Sequence, residues 1–117
     1  MLLVTSRETR RWVLPKGNID PGLTAAAAAA LEAKEEAGVG GHVASSPIGR
    51  FRYRKQYFAG LSRLMEVEVY PIAVTEILDD WKERRQRDRR WFTPDEAADA
   101  VDEPELKQLL RGFRPAA

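Results

Sequence analysis

Thr24-Ala-Ala-Ala-Ala-Ala-Ala-Leu31-Glu32-Ala-Lys-Glu35-Glu36-Ala-Gly38 is the stretch on which the fold turns. Alanine, leucine, glutamate and lysine are the strongest helix formers, because they lose little side-chain freedom in a helix. Thr24 stands ahead of the run as an N-cap, and Gly38 follows it as the residue type that most readily takes the left-handed turn ending a helix. The spacing predicts a helix over 25–37, whose alanines 25–30 form a small-residue face packed closely on a sheet. Glu32, Glu35 and Glu36 fall within an arc of about 100° on that helix. Glu35 and Glu36 lie in its last turn, where the dipole disfavours an acid by roughly 0.3–1 kcal/mol. Lys34 projects from a different face than Glu32 and Glu36, so the offsetting cation is expected from elsewhere. Hard carboxylate oxygens suit Mg²⁺ or Mn²⁺. Taken alone, though, a glutamate-rich face more often meets only water.

Upstream, 1–6 reads as an apolar strand and 12–14 as a second one stopped by Pro15, with 7–11 as a polar hairpin loop between them. Residues 15–23 contain Pro15, Gly17, Asn18, Asp20, Pro21 and Gly22, the composition of an irregular loop. Downstream, 40–47 reads as loop. Residues 48–58 read as a strand with Arg50, Arg52 and Arg54 on one face and Phe51 and Tyr53 on the other. A turn over 59–62 leads into a long strand over 63–74, where Met65, Val67 and Val69 alternate with Glu66 and Glu68. A charged loop and a short strand over 90–92 follow. Thr93, Pro94 and Glu96 then form a capping box opening a helix over 94–101. A last helix is expected over 104–111, stopped by Gly112. Strands and helices are mixed without regular alternation, which implies an α+β fold rather than a doubly wound one.

The 117 residues suffice for one domain with one core. An apolar fraction of 44% and a charged fraction of 32% exclude a disordered chain. No apolar run approaches the roughly 20 residues of a membrane helix, and 1–6 is too short for a signal peptide. The chain has no cysteine, so disulfides and thiolate metal sites are excluded. A cytoplasmic home without membrane attachment is expected. The net charge of +1 is not that of a nucleic-acid binder, and no sequence-specific nucleic-acid contact is expected. Basic residues nevertheless gather at 7–11, 50–55 and 84–90. The last of these clusters is read as solvated, or as a lid.

Around the glutamates, the chain resembles the Nudix hydrolase family, whose signature is G-x5-E-x7-R-E-U-x-E-E-x-G-U with U aliphatic. Gly17, Glu32, Glu35, Glu36, Gly38 and Val39 stand in register with it, and Trp12-Val-Leu-Pro-Lys-Gly17 is similar to the segment leading into the family's loop. Two positions depart: Leu23 replaces the first Glu and Leu31 the Arg. In the family these two pair and brace the loop on the helix. Replacing both partners by apolar groups is far less costly than losing one, so Leu23 and Leu31 are expected to brace by packing.

The resemblance implies a Nudix-type α/β/α sandwich with a mixed β-sheet. It further implies metal-dependent cleavage of a phosphoanhydride bond in a nucleoside-diphosphate-linked or polyphosphate substrate. Glu35 and Glu36 would be metal ligands, Glu32 a further ligand or the base that orients water, and the carbonyl of Lys16 or Gly17 an additional ligand. Lys16, Arg50, Arg52 and Arg54 are the expected substrate-binding cations. Family members often recruit one more acid, for which Glu66, Glu68 and Glu83 are candidates. His42 is read as a loop residue, and Trp81 and Trp91 as hydrophobic anchors.

Residues 49–55, 75–81 and 89–92 bring the resemblance nearest to the diphosphoinositol polyphosphate and diadenosine polyphosphate phosphohydrolases. The family usually carries a strand ahead of the one beginning at Met1. Without it, either a partner chain covers the open edge, as in a homodimer, or the first strand's register differs. Two rivals are a catalytically silent module that binds nucleotides or polyphosphates, and a plain α+β interaction domain.

Overall fold

The computed structural model describes residues 1–16 and 21–114. Seven strands and three helices appear among them: β1 (Leu2–Thr5), β2 (Trp12–Val13), α1 (Ala25–Ala37), β3 (Val39–Val43), β4 (Gly49–Gln56), β5 (Ser62–Val69), β6 (Ile72–Ile77), β7 (Arg89–Trp91), α2 (Pro94–Ala100) and α3 (Pro104–Gly112). The expected α+β class is borne out. Among the described residues every strand pairing is antiparallel, in the orders β2-β1-β7, β3-β6 and β4-β5. The parallel pairing that a mixed sheet requires is not among them.

β1 sets the layering, because successive strand residues point to opposite faces. Leu3, fully buried, joins Phe51, Ala97, Ala98, Val101, Leu106 and Leu110, and so packs towards α2, α3 and β4. Val4, also fully buried, joins Val13, Ala33, Ala37 and Val39, and so packs towards α1 and β3. Helices therefore cover both sides of β1. Its two edges are taken by β2 and β7, so the open edge expected beside the first strand is not found there.

α1 has the expected bounds. The Thr24 hydroxyl accepts from the Ala27 N–H at 3.1 Å. Gly38 takes φ +67° and returns its N–H to the carbonyls of Ala33 and Lys34. Ala28, Ala33 and Ala37 are buried, and their small side chains let the helix lie close to β1 and β3. The capping box of α2 is also complete: Thr93 N–H donates to Glu96 Oε1 at 2.9 Å and Glu96 N–H to Thr93 Oγ1 at 3.2 Å.

Two expectations are corrected. Residues 40–47 were expected as loop, yet Val39–Val43 is a strand paired with β6 through an irregularity at Gly40/Gly41. The two glycines that suggest a loop are there because the strands approach closely. A Cβ on Gly41 would stand 2.0 Å from the Ala73 carbonyl oxygen. The single strand expected over 63–74 is instead two, interrupted at Tyr70 and Pro71. Proline has no N–H for a ladder, and the Pro71 carbonyl accepts from Ala44 N–H as the chain changes partner from β4 to β3. Among the described residues no helix is long and apolar enough to cross a membrane.

Candidate active site

The glutamates of α1 divide between two flanks of the helix. Glu36 is buried, 3% exposed, and its carboxyl lies within hydrogen-bonding reach of Glu32, one turn earlier. Burial pushes the Glu36 carboxyl up to about 8; the hydrogen bond with Glu32 pushes the same way, and the Arg87 guanidinium opposes both. Glu35 faces the other flank, where Lys82 Nζ stands 3.5 Å from its Oε2 beside Leu31, Lys34, Leu78 and Trp81. The expected three-carboxylate patch is thus two carboxylates plus one turned aside. Residues at i and i+4 lie nearly above one another, whereas Glu35 and Glu36 are separated by about 100° around the axis. Among the described residues, no three His, Cys, Asp or Glu side chains gather where one cation could reach them all. Gly17, the expected carbonyl ligand, lies outside the described residues.

Three residues after β6 take up the electrostatic load at the end of α1. Arg87 Nη2 lies 3.3 Å from Glu36 Oε1, its Nε donates to Glu83 Oε1 at 2.9 Å, and its Nη1 donates to the Thr5 carbonyl at 3.1 Å. Arg89 donates to the carbonyls of Ala37, Gly38 and Leu78 at 2.9, 3.3 and 2.7 Å, with its guanidinium 4.0 Å from the Trp81 ring centre. Trp81 Nε1–H donates to the Glu36 carbonyl at 3.1 Å. Cations at a helix C-terminus offset its dipole, so Arg87 and Arg89 answer the need that the last-turn acids created. The run 84–90, expected as solvated or a lid, therefore contains two anchors. The one signal for them in the sequence was the need itself: acids in a last turn call for cations, without saying which. Of the candidate extra acids, Glu83 is the one at this cluster. Glu66 and Glu68 pair with Arg50 and lie in the lining of the cavity described below, away from Arg87.

The leucine brace is not a buried one, since Leu23 keeps 38% of its surface exposed. Separately, the loop after β6 ties the end of α1 to β1 through polar contacts. Its Glu83 N–H donates to the Glu35 carbonyl at 3.1 Å, Leu78 N–H to the Gly38 carbonyl at 2.8 Å, and Asp88 N–H to Thr5 Oγ1 at 2.9 Å.

A cavity of about 770 Å³ opens between α1 and strands β3, β4, β5 and β6. Glu32, Lys16, Tyr53 and Lys55 line it, with Leu14, Ala28, Val67, Val69, Ile72, Val74 and Trp91 among its apolar walls. Lys16 Nζ lies 5.1 Å above the Tyr53 ring centre. Arg50, Arg52 and Arg54 are not in this lining. They alternate with Phe51 and Tyr53 along β4 and are engaged elsewhere: Arg50 with Glu66 and Glu68 at 3.7 and 3.8 Å, Arg52 with both Glu105 oxygens at 3.3 and 2.9 Å, and Arg54 with Ser62 Oγ at 3.4 Å. Thus Lys16 and Glu32 line one cavity, whereas the three arginines are outside its lining. His42 lies exposed on β3 rather than in a loop. Trp81 anchors α1, and Trp91 is 53% exposed.

Residues 1–113 match the NUDIX domain family model. The chain is 34% identical over 121 residues to Nudix hydrolase 12, mitochondrial, of Arabidopsis thaliana, covering 97% of this chain and 57% of that protein. It is 34% identical over 124 residues to the human diphosphoinositol polyphosphate phosphohydrolase 2, covering 99% of this chain and 64% of that protein. The chain thus spans between half and two thirds of these relatives. The expected cytoplasmic home has no support from the first of them, whose name places it in mitochondria. The crystal structure of the C. elegans Ap4A hydrolase shares the fold, with a TM-score of 0.57, 22% identity, and coverage of 94% of this chain and 80% of that one. Family model, relatives and fold agree, and the chain is a member of the NUDIX family.

Proposed function

We propose that this chain is a divalent-cation-dependent pyrophosphohydrolase that cleaves a phosphoanhydride bond in a nucleoside-diphosphate-linked or polyphosphate substrate. The observation that carries this reading is the adjacency of the Glu32 and Glu36 carboxyls where α1 meets the cavity that also holds Lys16. Burial foremost, and the neighbouring Glu32 carboxyl, push Glu36 up to about 8, so two acids crowd together where a cation would relieve them. All-oxygen donors of this kind fit Mg²⁺ or Mn²⁺. Glu32 and Glu36 would hold the ion. Glu35 would complete the set by leaving Lys82, since an ion pair with so exposed a lysine, 69% open to solvent, is worth little. When bound, the cation neutralises phosphate charge and acidifies a water.

The protein's own groups do the rest. Lys16 and Lys55 attract the phosphates, and Tyr53 and Trp91 offer aromatic surface to a base. The cavity walls favour a nucleoside-linked substrate over a densely phosphorylated inositol. Its lining holds only two lysines alongside Glu32, Glu66 and Glu68, and most of the remainder is apolar.

The test is phosphate release from diadenosine polyphosphates, nucleoside diphosphate sugars and diphosphoinositol polyphosphates, with and without Mg²⁺. Turnover that requires Mg²⁺ and is fastest on a nucleoside-linked compound is expected; no metal-dependent turnover on any of them would sink the proposal. A second reading, a catalytically weak or silent module that binds nucleotides or polyphosphates, draws support from the lysine already paired with Glu35. Under that reading, isothermal titration detects substrate binding while the hydrolysis assay stays flat.

A further inference from the structure

Arg87 is 11% exposed at its side chain, and each nitrogen of its guanidinium has its own partner: Glu36, Glu83 and the Thr5 carbonyl. A guanidinium held at three points on three segments of chain has little freedom to reorient. Glu83 fixes its Nε from within the same loop, and Thr5 fixes it to β1. Arg87 is thereby a rigid neighbour to Glu36, which it meets at Oε1 and which also neighbours Glu32. Leu31 cannot supply such a charge, and Arg89 is spent on the backbone carbonyls of Ala37, Gly38 and Leu78. A buried ion pair is weak grounds for stability, because desolvation consumes most of the Coulombic gain. Its value here is directional.

We infer that Arg87, locked by Glu83 and the Thr5 carbonyl, is a positioning residue that aims the Glu36 carboxylate toward the cation. The inference rests on the proposed metal-dependent reading of the same site. Partners of this kind, one step removed from a metal, are worth roughly 10- to 100-fold in affinity or activity when removed. Arg87 takes no part in bonds made or broken. Glu83 acts through Arg87, so the two substitutions are not additive.

The experiment is titration of the full chain with Mn²⁺ alone, followed by electron paramagnetic resonance of the free ion. It is paired with kinetics at saturating Mg²⁺ and a thermal melt of each variant. Arg87→Met is expected to weaken Mn²⁺ binding at least tenfold and to lower kcat by a similar factor, with KM for substrate changed less than twofold. Arg87→Lys, which retains the charge but loses the fork, recovers only part of both. Glu83→Gln shows the same pattern in weaker form, and the Glu83→Gln, Arg87→Met double variant is no worse than Arg87→Met. Should Arg87→Met not fold, Arg87→Lys and Glu83→Gln carry the test. A folded variant of this set with wild-type Mn²⁺ affinity and kcat overturns the inference, provided the wild type binds and turns over. Absence of Mn²⁺ binding by the wild type takes down the proposed function as well.

Discussion

At the scale of single residues, Glu36 and Glu35 are adjacent in sequence and differ in surroundings. Glu36 is buried against Glu32 and Arg87, and Glu35 faces an exposed lysine. Glu36→Gln has nearly the shape of the protonated carboxyl, so the variant should stay folded while losing roughly 100-fold or more in turnover. Glu35→Gln should lose less. Steady-state kinetics with Mg²⁺, alongside circular dichroism, checks the order, and an equal loss in both would show that Glu35 reaches the cation as readily as Glu36. Gly38 is the other residue with a sharp requirement. A Cβ there would stand 2.7 Å from Trp81 and 2.8 Å from Arg89 Nη1, at φ +67°. Gly38→Ala should cost about 1–2 kcal/mol from the left-handed backbone alone, and more because the Arg89 clasp must shift. Urea denaturation measures it.

At the scale of elements, α1 and the loop after β6 work as one unit. The helix presents the glutamates, and the chain from Leu78 to Arg89 returns the side chains of Trp81, Arg87 and Arg89 and three backbone N–H groups to its end and to β1. β3 is held less securely by local preference, since Gly40 and Gly41 are poor strand formers. It depends on the close approach to β6. Gly41→Ala places a methyl 2.0 Å from a backbone oxygen that cannot rotate away, and overpacking of this sort costs about 1–3 kcal/mol. Hydrogen exchange should show faster opening of β3 and β6 amides, with α2 and α3 little affected. Uniform protection across the variant would show that the pairing relaxes without cost. This long-range pairing of β3 with β6 and the split between β5 and β6 were hidden from sequence. Glycines read as loop, and an unbroken alternation from Met65 to Val69 seemed to continue across Pro71.

At the scale of the whole molecule, exposed carboxylates tie the outer elements together. Hydrogen bonds from Arg52 hold the Glu105 carboxyl below its ordinary value, joining α3 to β4, and Arg111 does the same for Asp99, joining α3 to α2. The backbone N–H of Thr93, foremost, lowers Glu96 in the capping box. In each case the folded chain binds its proton less tightly than the unfolded chain. The stabilisation is therefore complete above the ordinary carboxylate range and is lost as pH falls from that range through the lowered folded-state values. Thermal melts from pH 7 to pH 3 should show a progressive fall in Tm. Arg52→Ala should be less stable at pH 7 and show a shallower fall, the two proteins converging at low pH. Parallel curves would mean that Glu105 contributes nothing to the acid dependence.

What the sequence determined by itself was whatever neighbours in the chain decide. Thr24 and Gly38 bound α1, Thr93, Pro94 and Glu96 open α2, and the helical repeat places Glu32 beneath Glu36. Hydrogen bonds between residues three to five apart close without help from the rest of the molecule. Only the tertiary structure decided which cations meet those acids, that Glu83 rather than Glu66 or Glu68 joins them, and that Lys16 but not Arg50, Arg52 or Arg54 lines the cavity. Such pairings cross long stretches of chain, 51 residues between Glu36 and Arg87 and 82 between Thr5 and Arg87. A side chain's partner at that distance is set by how the layers pack, and local preference carries no record of it.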